Sequence, residues 1–266
     1  MEYLLYLGTG AVAGLLGGLL GIGGGLVIVP ILVYVFQAHG VDASVLTQMA
    51  VGTSLATIIF TSFSSVRAHH ERGAVRWALV RHIAPGIVLG TFLGAQIAHY
   101  LPGKNLQLLI GGFAILMAVQ MLTNWKPGGH STAPSPLKTP SLLMGGGIIG
   151  SVSALFGIGG GTLTVPWLNY HSIRMQEAVA TSSACGIAIA IAGSLGFIWT
   201  GWQHAGLPAH AIGYVYLPAF AGISLSSIVF ARLGVRLAHQ LPASTLKKVF
   251  ATLLILVGIK MISGAL

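Results

Sequence analysis

Gly21-Ile22-Gly23-Gly24-Gly25-Leu26-Val27-Ile28-Val29-Pro30 returns 136 residues later as Gly157-Ile158-Gly159-Gly160-Gly161-Thr162-Leu163-Thr164-Val165-Pro166. Four glycines in five residues break a helix, because each loses more chain entropy on folding than any other residue. Both copies follow an apolar stretch, so the chain carries one helix break per half, the pattern of transporters built from repeats. Further out, Gln48-Met-Ala-Val-Gly-Thr53-Ser54 matches Gln176-Glu-Ala-Val-Ala-Thr181-Ser182, and Ala98-His99-Tyr-Leu-Pro102 matches Ala238-His239-Gln-Leu-Pro242. The repeat therefore divides the chain into residues 1–124 and 141–266, joined by the proline- and glycine-rich linker 125–140, which does not read as helix.

Composition names the solvent. Hydrophobic residues make up 55% of the chain and charged residues 6%, against about 25% charged in soluble domains. Apolar stretches over 3–20, 44–66, 77–100, 106–123, 178–200, 211–233 and 246–263 approach the roughly 20 residues that cross a bilayer. The reading is an all-α integral membrane protein whose two repeats each hold about five helical segments. The basic residues flank these segments instead of forming an aromatic-laced patch, which argues against a nucleic-acid partner. Met1-Glu2-Tyr3 lacks a basic n-region, so a removable signal peptide is not expected. The single Cys185 excludes an internal disulfide.

Leu26 to Phe36, after the first glycine turn, is too short for a comfortable span at about 16 Å of helix. The segments around each turn are therefore read as a broken or re-entrant pair, with two full spans as the alternative. If the chain returns to the side where it started, the halves are inverted. Lysine and arginine then divide with Arg67, Arg72, Arg76, Arg81, Lys126, Lys138, Arg174, Arg232, Arg236, Lys247 and Lys248 on one side, and Lys104 and Lys260 on the other. Parallel halves would divide the 13 basic residues almost evenly. Because cytoplasmic loops collect lysine and arginine, the reading is two inverted repeats, with the linker cytoplasmic and both termini outside the cytoplasm.

A glycine turn that opens a helix exposes N–H groups with no intrahelical acceptor, lets a ligand approach the backbone, and favours an anion. Candidate site residues are thus Gly21, Gly23, Gly24, Gly25, Gly157, Gly159, Gly160 and Gly161, together with the hydroxyls of Thr53, Ser54, Thr181, Ser182 and Ser183. The bland reading of those hydroxyls is that they bond backbone carbonyls or join helices. Gly86, Gly90 and Gly94 are read as a packing stripe. Gln48, Gln176, Asn169, Tyr170, Arg81 and His82 are weaker site candidates, and Arg232 and Arg236 are read as snorkelling to the interface. The histidines show no metal-ligand spacing, so no metal or cofactor is expected. Glu2, Asp42, Glu71 and Glu177 fall at segment ends or in loops, which removes most support for cation transport or an intramembrane acid-base enzyme.

GIGGGLVIVP and GIGGGTLTVP, each followed by an Ala-Val-x-Thr-Ser element, resemble the hallmark of the TauE/SafE sulfite-exporter family, also called TSUP permeases. The resemblance implies transport of sulfite, organosulfonates or related small anions across the bacterial inner membrane, with export the expected direction and import left open. By analogy, its glycine and Thr-Ser elements line the path, and the inverted repeats lead to the expectation of a secondary transporter working by alternating access around a midplane site at the two glycine turns. The expected partners are that small anion and the lipid bilayer, with further copies of the chain an open option. A passive anion channel and a non-transporting scaffold or enzyme subunit are the alternatives.

Overall fold

The computed structural model describes residues 2–20, 23–123, 139–202, 204, 206–238 and 243–265. Ten helices account for nearly all of them: α1 (Glu2–Leu20), α2 (Gly25–Ala38), α3 (Leu46–His70), α4 (Trp77–Tyr100), α5 (Gly103–Thr123), α6 (Thr139–Phe156), α7 (Gly161–Tyr170), α8 (Met175–Gly201), α9 (Leu217–Ala238) and α10 (Ala243–Ala265). Six of these, α3, α4, α5, α6, α8 and α9, are long and apolar enough to cross a membrane. The protein is a multi-pass, all-α membrane protein.

Two boundaries differ from the sequence reading. Thr139 and Pro140 open α6, since a proline in the first turn lacks only an N–H that would be unpaired there anyway. The apolar stretch 211–233 is not one helix. Ala211–Ile212 and Val215–Tyr216 form a two-stranded antiparallel hairpin before α9, closed by Gly213 at φ 54°. Residues 124–138, most of the linker, lie outside the described residues.

The helix contacts come in matched sets. α1 packs along α9 and α6 along α4; α3 meets α9 and α8 meets α4; α2 meets α3 and α7 meets α8; α3 pairs with α8, and α5 with α10. Counting five helices forward turns the first three of these contacts into their partners and returns α3–α8 and α5–α10 to themselves. Glycine makes the tightest of them possible. Gly10 and Gly14 lie against the Ile223 and Ser227 carbonyls, Gly146 and Gly150 against those of Ile83 and Ile87, too close for any side chain. The predicted stripe behaves as read, with Gly86, Gly90 and Gly94 packed on the Leu143, Gly147 and Ser151 carbonyls of α6.

Outward faces are apolar, with Leu89, Leu93, Ile148, Leu195, Leu225 and Val229 each more than half exposed. α3 and α8 are the exception. They run through the centre, 72% buried over their apolar windows, and position the site.

Candidate functional site

Both glycine turns end in the same cap. Gly24 (φ 76°, ψ −9°) and Gly160 (φ 76°, ψ −15°) take the left-handed conformation that glycine adopts without strain. Each carbonyl accepts the first helical bonds, from Val27 and Ile28 in one half and from Leu163 and Thr164 in the other, at 2.7–3.1 Å. The first N–H groups of α2 and α7 precede any helical acceptor. The turn folds the chain back on itself, because a side chain at Gly24 would lie 2.6 Å from the Ala13 carbonyl, well inside α1.

The two turns meet. A side-chain carbon on Gly23 would sit 3.5 Å from Gly159 Cα, and Gly25 lies against the Gly157 carbonyl. Beneath them opens a cavity of about 500 Å³ lined by Gly23 and Gly159 and by Thr61, Ser62, Ser65 and Ser183, with Arg67, Glu71, Arg72 and Arg232 toward its mouth. Thr61, Ser62 and Ser183 are nearly buried, at 5–6% exposure. The Ser65 hydroxyl donates to Ser183 Oγ at 3.3 Å, linking α3 to α8, and Ser183 donates back to the Val179 carbonyl at 3.0 Å. Ser62 Oγ lies 3.2 Å from the side-chain position of Gly186, the glycine on which the Gly159 carbonyl rests.

Among the arginines at the mouth and those of the neighbouring loops, some are paired and some free. Arg67 is held by Glu71 at 3.2 Å, and Glu177 takes Arg76 at 3.0 Å and Arg174 at 2.6 Å. The Glu177 bond stabilises the charged form of Arg174 and raises its pKa. Arg72 and Arg232 have no acidic partner among the described residues. On the other side of the turns Tyr6, Phe36, Phe197 and Tyr214 are each at most 2% exposed. Burial pushes the Tyr214 phenol up to about 12, so it stays neutral beside His99 Nδ1, 3.0 Å away. A larger hollow of about 840 Å³ between α4 and α8 is walled by Phe92, Leu195, Trp199 and Trp202. His99, Thr200 and His204 add polar groups to its mainly apolar wall.

Of the predicted site residues, Gly23, Gly159 and Ser183 line the cavity. Gly24, Gly25, Gly157, Gly160 and Gly161 build the turns behind it, and Gly21 lies outside the described residues. The threonines brace the halves. Thr53 Oγ1 accepts the Tyr216 N–H at 2.9 Å, and Thr181 Oγ1 accepts the Arg76 N–H at 3.1 Å. Tyr216 and Arg76 each precede the fourth helix of their half. Ser54 donates to the Gly157 carbonyl at 2.9 Å, whereas Ser182, its repeat partner, is fully buried with an unpartnered hydroxyl.

The weaker candidates stand away from the cavity. Gln48 caps the end of α4 through the Leu101 carbonyl at 2.9 Å. His82 binds the Ala78 carbonyl at 2.7 Å, Tyr170 is 52% exposed, and Asn169 bonds within its own turn. Arg232, read as a snorkelling residue, is exposed and also lines the cavity. The hydroxyl run Thr61-Ser62-Phe63-Ser64-Ser65 was overlooked, although so many hydroxyls in one apolar helix were a visible signal.

A cavity that brings hydroxyls and arginines to the helix breaks of a multi-pass bundle suits a membrane permease. The sequence comparisons say which kind. A family model described as sulfite exporter TauE/SafE matches residues 6–261, and the chain belongs to that family. It is 40% identical over 258 residues to a probable membrane transporter protein of Haemophilus influenzae, covering 97% of both chains. It is 29% identical to a probable membrane transporter protein of Methanocaldococcus jannaschii, covering 98% of this chain and 97% of that one. A third relative, the probable membrane transporter protein YunE of Bacillus subtilis, is 28% identical, with 98% of both chains covered. No solved structure matches.

Proposed function

We propose that this protein is a secondary transporter that exports small sulfur-containing anions, such as sulfite or organosulfonates, across the bacterial inner membrane by alternating access. One observation carries the reading: both glycine turns form the end of a single hydroxyl-lined cavity whose mouth holds Arg67, Arg72 and Arg232. Backbone N–H groups and hydroxyls are the donors that an oxyanion needs. Free arginines at the entrance raise its local concentration.

The repeats 1–124 and 141–266 are inverted in this reading. What supports it is the Arg76–Glu177 pair at 3.0 Å, which puts Arg174 on the face of Arg67, Arg72 and Arg76. Parallel halves would separate them. By the bias of lysine and arginine that face is cytoplasmic, so the cavity opens inward, the linker 125–140 is cytoplasmic, and both termini lie outside. Cysteines introduced at Glu71 and Ala209 test the orientation, with native Cys185 buried and silent. Labelling from opposite sides is expected, and labelling of both from one side overturns the inversion.

The transport test is counterflow in proteoliposomes preloaded with sulfite, an alkylsulfonate or lactate. Trans-stimulated accumulation is expected for a sulfur anion, lost in Ser65→Leu, which fills the cavity at a half-buried position. Flux without saturation or counterflow would make the protein a channel. Gly24→Leu and Gly160→Leu are poor probes, because both positions have φ 76° and a side chain at Gly160 would strike that of Ile189.

A further inference from the structure

We infer that the hollow between α4 and α8 is the outer mouth of the anion path, closed off from the glycine turns by the side chains of Ile189 and Leu55. The inference rests on the transport reading with its inverted repeats. It adds to that reading where the anion leaves and which residues shut the exit.

Matched contacts fix the register between the halves. Thr53 accepts the Tyr216 N–H as Thr181 accepts that of Arg76, and Gly14 lies on Ser227 as Gly150 lies on Ile87. In that register Arg67, Glu71, Arg72 and Arg232, at the mouth of the cavity, correspond to Leu195, Trp199, Thr200 and Phe92, and all four of these line the hollow. α3 and α8 run antiparallel, since Ser65 bonds Ser183 at 3.3 Å near one end and the side-chain position of Gly52 lies 3.0 Å from Phe197 Cβ near the other. The glycine turns touch this pair midway, at Ile58 and Gly186. Cavity mouth and hollow thus lie at opposite ends of the pair, one on each side of the turns.

Between the hollow and the turns the path is filled. Thr61, Ser65, Ala68 and Arg72 follow one face of α3 at helical spacing and line the open cavity. Their counterparts on α8 are Ile189, Gly193, Gly196 and Thr200. A side chain at Gly196 would meet Phe92 at 3.6 Å, one at Gly193 would meet Leu55 at 2.8 Å and Thr91 at 3.3 Å, and one at Gly160 would strike Ile189. Leu55 is the counterpart of Ser183, and Ile189 that of Thr61. Two aliphatic side chains, each 0% exposed, therefore stand where the open cavity has hydroxyls. An apolar constriction of this kind shuts an ion path by keeping water out. Beside it Thr91 and Ser153, the counterparts of Ala231 and Gly17 in the cavity lining, are fully buried with unpartnered hydroxyls, although buried hydroxyls are ordinarily bonded. Displacing Ile189 and Leu55 wets both of them and joins the hollow to the second turn, as rocking of one repeat against the other requires.

The experiment places single cysteines in proteoliposomes of known orientation and treats them with a bulky, impermeant maleimide during counterflow. Wild type, whose Cys185 is buried, is the blank. Trp199→Cys, at an 80% exposed position in the hollow, should react from the extracytoplasmic side, and its labelling should abolish counterflow of sulfite and methanesulfonate. Ala209→Cys, exposed outside the hollow, should be labelled from the same side with counterflow intact. Ile189→Cys should react from the extracytoplasmic side alone, and Thr61→Cys from the cytoplasmic side alone. Trp199 lies at the surface, so its variant tests the hollow even where Ile189→Cys fails to fold. Trp199→Cys that does not react or keeps full counterflow once labelled, or a transporting Ile189→Cys that reacts from the cytoplasmic side or from neither, overturns the outer path and leaves transport intact. No counterflow of either anion by folded wild type overturns the transport reading and this one with it.

Discussion

The two glycine turns share one backbone and differ in what surrounds them. Gly24 and Gly160 adopt the same cap, with φ 76° in both. Around the first stand Gly17, Leu26 and Ile28, and around the second Ser153, Thr162 and Thr164. The neighbouring serines differ too, since Ser54 holds the Gly157 carbonyl and Ser182 holds nothing. Contacts that occur in both halves, such as the glycine stripes and threonine braces, hold the bundle together. Contacts formed in only one half are, on the transport reading proposed above, where substrate or movement would break the symmetry.

The shared contacts should be the costliest to remove. Gly14→Leu and Gly90→Leu each drive a side chain into a carbonyl of the facing helix and should lose about 3 kcal/mol or more, read as failure to elute as a folded species from detergent. Gly112, with nothing within 4 Å of its side-chain position, is the control, and Gly112→Leu should elute normally. Tolerance of Gly14→Leu but not Gly90→Leu would break the matched-contact picture.

Thr53→Val and Thr181→Val come next. Each removes the acceptor of one N–H, from Tyr216 or Arg76, at a fully buried position, and should destabilise by about 1–2 kcal/mol. The two losses should be similar and add in the double variant, since the braces share no partner. Thermal unfolding in detergent measures both. A large loss of transport without loss of stability would instead return these threonines to the substrate path.

The free and paired arginines give a comparison within the mouth. Arg232→Gln should raise the half-saturating anion concentration about fivefold at low salt, with the difference shrinking as salt is added. Arg67→Gln removes a cation that Glu71 already neutralises and should shift it far less. Equal effects would mean that rim charge acts only as a sum.

Repetition and periodicity made much of this architecture legible. Both glycine turns, the ten segments and the stripe at Gly86, Gly90 and Gly94 follow from patterns that recur in the sequence. The same reliance on recurrence hid Thr61, Ser62 and Ser65, because the matching positions of α8 are Ile189, Ala190 and Gly193. A repeat search discards what occurs once. Recurrence also favoured Thr53 and Thr181 as site residues, since a hydroxyl's partner depends on which helix arrives opposite, and here that partner is a backbone N–H of the other half. The hairpin at residues 211–216 was masked by its hydrophobicity, which matched that of the helix it precedes.

The smallest effect is the most direct test of the asymmetry. Ser54→Ala deletes a donor to a buried carbonyl and should destabilise by about 1 kcal/mol, whereas Ser182→Ala deletes an unpaired buried hydroxyl and should be neutral or slightly stabilising. If the halves exchange roles during transport, conditions that favour the opposite state should reverse the order: Ser182 would gain a partner at the first turn and Ser54 would lose its own. Comparing thermal unfolding of the two variants with and without a saturating substrate anion reads this out. An order that holds in every condition would make the serine asymmetry a fixed property of the fold.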